Sequence, residues 1–67
     1  MNRLAEIRKA KGLTQEQVAA KAGTTRAYVS EVENGKRRVY TNVLMERLAN
    51  AIGESVVTVF YSEPDKS

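Results

Sequence analysis

The chain has neither cysteine nor histidine among its 67 residues. Without Cys there can be no disulfide framework, and that absence fits a reducing compartment. The thiolate and imidazole ligands of a structural zinc are missing together, so no metal is expected, and no other cofactor is assigned. The same absences remove the usual nucleophile–base sets of hydrolases. No glycine-rich phosphate loop is present, and the central motif carries no paired carboxylates on one helical face. No catalytic residue is assigned, and an enzyme is not expected. Long apolar runs are missing too: nothing approaches the roughly 20 residues of a membrane span. The opening "MNRLAEIRKAKG" is charged throughout and lacks a signal-peptide core. A cytoplasmic protein with no membrane partner is the expectation. There are no repeats and no low-complexity segments. At this length the chain makes one small domain with a marginal core.

What is present is charge, unevenly placed. Residues 1–40 hold nine Lys/Arg against four Glu, a net of +5, whereas residues 41–67 hold two against four, a net of −2. A basic segment joined to an acidic one suggests one surface that faces a polyanion and another used differently. An ordinary solvated surface would have the same composition, so the case must rest on position.

Apolar spacing supplies the positions. Leu4 and Ile7 begin a stripe that predicts a first helix from about Asn2 to Lys11, stopped by Gly12. Thr14 is then placed as an N-cap, Gln17 as its capping-box partner and Leu13 as the apolar residue before the cap. This second helix carries Val18, Ala19 and Ala22 on one face and ends at Gly23. Thr24 or Thr25 can cap a third helix with Val29 and Val32 inward, ended by Asn34-Gly35. After the basic connection "KRRVYT", Thr41 or Asn42 caps a fourth helix with Leu44, Met45, Leu48, Ala49 and Ile52, closed by Gly53. The segment 55–61 is two-sided. Val56, Val59 and Phe60 have helical spacing behind a Ser55 cap, yet "VVTVFY" is rich in strand-favouring residues. A short fifth helix is the reading adopted. A strand there would need an edge partner, most simply a second copy. Residues 62–67 read as a loose tail after a domain of 1–61.

Gly23 asks why a short chain would break a good helix. Two short helices joined by a tight turn containing Gly form a helix-turn-helix, which presents its second helix to the major groove of DNA. The turn needs positive φ, which glycine adopts without steric cost. Ala19 provides the small side chain that two closely crossing helices require.

The stretch "TQEQVAAKAGTTRAYVSEVENGKRR" closely resembles the helix-turn-helix of phage repressor and Cro-type (XRE-like) proteins. Gln15 matches the first position, Ala19 the small fifth, Gly23 the ninth, and Val29 and Val32 the buried positions of the second helix. The resemblance runs from Leu4 to about Phe60, with the motif at about 15–34. It implies a compact all-α, five-helix, lambda-repressor-like DNA-binding domain. It also implies a sequence-specific transcriptional regulator, most simply a repressor on a palindromic operator, acting as a homodimer through a recognition helix at 25–34. Carried over by position, Arg26, Ala27, Tyr28 and Glu31 would meet base edges, with Arg26 suited to guanine O6/N7. Gln15, Thr24, Thr25, Asn34, Lys36, Arg37 and Arg38 would hold phosphates. Tyr28 could equally cover the apolar seam. Arg8 and Glu33 match positions that pair between the first and third helices, with a structural role alongside Gly23 and Ala19. No small-molecule ligand is expected. The alternative keeps the fold and gives it a protein partner, as in an antitoxin binding a toxin, or a regulator bound by an anti-repressor.

Overall fold

The computed structural model of the chain describes residues 2–36 and 41–61. Arg37, Arg38 and Tyr40 of the basic connection, and the expected tail at 62–67, lie outside the described residues. Among the described residues there are five helices and no strand: α1 Leu4–Ala10, α2 Gln15–Ala22, α3 Arg26–Glu33, α4 Asn42–Ala51 and α5 Val57–Tyr61.

Side-chain oxygens define where each helix starts. The Asn2 carboxamide accepts the Leu4 amide at 2.9 Å, and its Nδ2 donates to the Val32 carbonyl at 3.0 Å, so α1 begins at Leu4 rather than at the expected Asn2 and is tied to α3. Thr14 accepts from Gln17 N at 3.0 Å while Gln17 Oε1 accepts from Thr14 N at 2.9 Å, a complete capping box on α2. Of the two threonines before α3, Thr25 is the cap, accepting from Tyr28 N at 3.1 Å. Thr41 caps α4 through Leu44 N at 3.1 Å.

α2 closes with the paired bonds of a Schellman turn. The Gly23 amide reaches the Ala20 carbonyl at 3.4 Å, and the Thr24 amide reaches the Ala19 carbonyl at 2.9 Å. Both bonds need residue 23 in the left-handed region, and Gly23 sits there at φ 74°.

The segment after Gly53 is helical, and the strand alternative for 55–61 is overturned. Ser55 Oγ accepts the Thr58 amide at 3.2 Å and donates to the Thr58 hydroxyl at 3.0 Å, which starts a turn. α5 itself is a single wide turn of π-helix. Helical winding puts Val59 wholly inside and packs Val56 and Phe60 against the core. The Val59 carbonyl accepts the Arg3 amide at 2.9 Å, fastening α5 to the start of the chain. Cap and burial together outweigh the β preference of "VVTVFY".

α2 sits at the centre, packed against α3 on one side and α4 on the other, while α1 rests on α3 and α5. Leu4, Val18, Val29, Val32, Leu48, Ile52 and Val59 are fully buried where these helices meet. At the periphery an ion pair joins Lys11 to Glu54 at 3.2 Å, linking the end of α1 to the turn after α4. A second, exposed pair joins Arg3 to Glu6, and the Arg3 hydrogen bond holds the Glu6 carboxyl below its ordinary value.

Candidate nucleic-acid interface

The placement of α3 follows from the two helices that hold it. Val29 and Val32 face the core, so the opposite side of the helix is turned outward. Arg26 and Ala27 are exposed on its first turn, and Thr25 is exposed at the cap. Tyr28 is half-buried and packs on the core cluster, so part of its ring seals the seam. Glu31 is half-buried one turn further on. Asn34 is exposed and its Nδ2 lies 3.4 Å from Ser30 Oγ, while exposed Lys36 returns its amide to the Glu31 carbonyl at 3.0 Å.

The remaining sequence-assigned residues fall at the two ends of α3. The Gly23 turn joins the end of α2 to the start of α3, which places Thr24 and Thr25 beside Arg26. At the other end, Gln15 Nε2 donates to Glu33 Oε1 at 3.0 Å, which places the start of α2 against the end of α3 near Asn34 and Lys36. The polar candidates therefore flank the exposed first turn of α3 and its continuation. An α-helix with its side chains is about 10–12 Å across, which fits a DNA major groove about 12 Å wide.

Beneath this surface lies a buried ionic knot. Arg8 Nε is 2.6 Å from Glu33 Oε2 and Arg8 Nη2 is 3.2 Å from Glu33 Oε1, a two-pronged pair. Arg8 Nη1 also donates to the Leu13 carbonyl at 2.8 Å. The two side chains are only 11% and 5% exposed. Gln15 completes the knot, a contact the sequence reading did not assign. Nothing in the local pattern signals it, because the bond joins positions 18 apart and exists only once α2 and α3 are packed. Asn2, whose side chain ties α1 to α3, was likewise missed. A polar residue just before a helix is the signal that could have raised it.

Among the described residues there is no group of His, Cys, Asp or Glu able to hold a metal ion, and no helix long and apolar enough to cross a membrane. Val43, Val57 and Tyr61 are large apolar side chains left exposed on α4 and α5. The Tyr61 hydroxyl donates to Met45 Sδ at 3.9 Å, steadying that ring at the surface.

Comparison with known proteins agrees with this arrangement. The profile of the helix-turn-helix family matches residues 4–59. An uncharacterised HTH-type transcriptional regulator, y4dJ, of Sinorhizobium fredii is 43% identical over 53 residues, spanning 79% of this chain and 68% of that one. Among solved structures, the restriction-modification controller protein C.AhdI from Aeromonas hydrophila superposes with a TM-score of 0.76 at 44% identity. That match covers 81% of this chain and 80% of the controller. A chain of the SinR–SinI protein complex superposes with a TM-score of 0.75 at 28% identity, covering 84% of this chain and 54% of that one. The chain belongs to the helix-turn-helix family of the XRE type, a family of DNA-binding transcriptional regulators.

Proposed function

We propose that the protein is a non-enzymatic repressor that binds a palindromic operator as a homodimer, with α3 in the major groove. The observation that carries this reading is the exposed first turn of α3, braced by α2 through the Gly23 turn. Arg26, Ala27, Tyr28 and Glu31 read base edges, Arg26 by its two-pronged fit to guanine. Gln15, Thr24, Thr25, Asn34 and Lys36 hold the phosphates on either side. Arg37 and Arg38, outside the described residues, complete the clamp in this reading. The exposed Val43, Val57 and Tyr61 supply apolar surface for the second copy. A two-fold dimer then requires half-sites about one helical turn apart, roughly 34 Å. The match to a restriction-modification controller over most of both chains supports a regulator of this size.

Selection of bound duplexes from a random pool, followed by sequencing, tests the proposal. A recovered palindrome is the expected result. Recovery of no preferred sequence, together with salt-insensitive or absent binding, would overturn it. That outcome favours the second reading, a module of the same fold whose main role is to bind a partner protein, such as an antitoxin. Similarity to a chain of the SinR–SinI complex, an assembly of two proteins, is the observation behind that alternative.

A further inference from the structure

We propose that Glu33 is a positioning residue for DNA binding, acting through Gln15. The inference deepens the proposed function and rests on it. Glu33 is nearly buried and makes three hydrogen bonds, two with Arg8 and one with Gln15. Arg8 is fixed in turn by the Leu13 carbonyl, so the carboxylate has little freedom to turn. A carboxylate only accepts hydrogen bonds, so the nitrogen of the Gln15 amide must face it and the amide oxygen must point away. One N–H of Gln15 is then engaged with Glu33, and the second remains to donate. Gln15 is the first residue of α2, where unsatisfied backbone amides also gather. A phosphate oxygen needs donors, and it is repelled by an amide oxygen. The buried pair thus fixes the rotation of the Gln15 amide and leaves its second N–H for the DNA backbone. Without it, the side chain would be free to present either end.

Glu33→Gln separates this role from a simple electrostatic one. The neutral amide keeps the shape but can offer Gln15 either an oxygen or a nitrogen, so the orientation is no longer imposed. Electrostatics alone predicts tighter DNA binding when a negative charge is removed beside a polyanion. Positioning predicts the opposite sign.

The experiment is a double-mutant cycle, read as affinity for the duplex recovered by selection, on variants first shown by thermal melting to be folded. Gln15→Ala and Glu33→Gln are each expected to weaken binding about tenfold. The double variant is expected to bind no worse than Gln15→Ala alone. The slope of log affinity against log salt should stay unchanged, because Gln15 carries no charge and releases no counterion. Glu33→Asp, which keeps the charge and shortens the reach, takes the place of Glu33→Gln if the latter melts below the assay temperature. Fully multiplicative losses, or a gain in affinity for Glu33→Gln, would overturn the proposal.

A readout independent of DNA separates this claim from the reading beneath it. In the free protein the Gln15 side-chain amide resonances should be displaced from exposed-glutamine positions, and should move towards them in Glu33→Gln. Exposed-type resonances in the unaltered protein would sink the positioning role. A chain that shows displaced resonances but binds no duplex would sink the DNA-binding reading instead.

Discussion

Arg8 donates from three of its nitrogens, two to Glu33 and one to the Leu13 carbonyl, with almost no access to water. Removing one member leaves the other charge buried without its counterpart, which costs about 3–5 kcal/mol, whereas replacing both with apolar groups is often neutral. Arg8→Ala should therefore lose most of the stability of so small a domain, and Arg8→Met with Glu33→Leu should recover it. Chemical denaturation of the three proteins checks this. The pair was legible in the sequence only through the positions it shares with relatives. Its third member, Gln15, was read solely as a phosphate ligand, since no spacing rule links positions brought together by tertiary packing. At the surface the residue-scale prediction concerns recognition. Arg26→Ala should cost about 1–3 kcal/mol of base discrimination at one position of the operator. Lys36→Ala should weaken all sequences alike and flatten the salt slope by about one. Affinity for matched and substituted duplexes at two salt concentrations separates the two.

At the scale of elements, capping chemistry and glycine decided most boundaries. The Thr14–Gln17 box, the Thr25 and Thr41 caps and the Gly23 turn all rest on residues whose local preferences agree with the final fold. α5 was harder because its β-branched and aromatic residues favour a strand. Only the fit of Val59 into the core, together with the Arg3–Val59 backbone bond, shows why a helix wins. Neither is visible in a short window of sequence. The Gly23 turn yields a test that isolates backbone conformation. A Cβ added there would lie 3.7 Å from Arg47 Nη1, an ordinary contact, so crowding contributes nothing. The cost of Gly23→Ala is then the left-handed conformation itself, about 1–2 kcal/mol. At 4–8 °C per kcal/mol, a melting temperature lower by roughly 4–16 °C is expected by calorimetry. No change in melting would mean that the turn relaxes to another conformation, and the angle between α2 and α3 would change with it.

For the molecule as a whole, the proposed function would divide the surface between two tasks, one for the charge and one for the exposed apolar residues. The basic excess falls in residues 1–40, which include α1 to α3, while Val43, Val57 and Tyr61 belong to α4 and α5. In the proposed function DNA contact and self-association would draw on different helices, and separate substitutions should uncouple them. Val57 is 63% exposed, so a charge at that position should not disturb the core. Val57→Glu is expected to keep a cooperative melting transition and to make the protein monomeric by sedimentation. It should keep affinity for a duplex with one half-site and lose the avidity gained when two linked heads bind two half-sites. Arg26→Ala should do the reverse, leaving self-association intact while weakening recognition of each half-site. If Val57→Glu instead leaves a dimer that still grips both half-sites, the second copy must dock elsewhere.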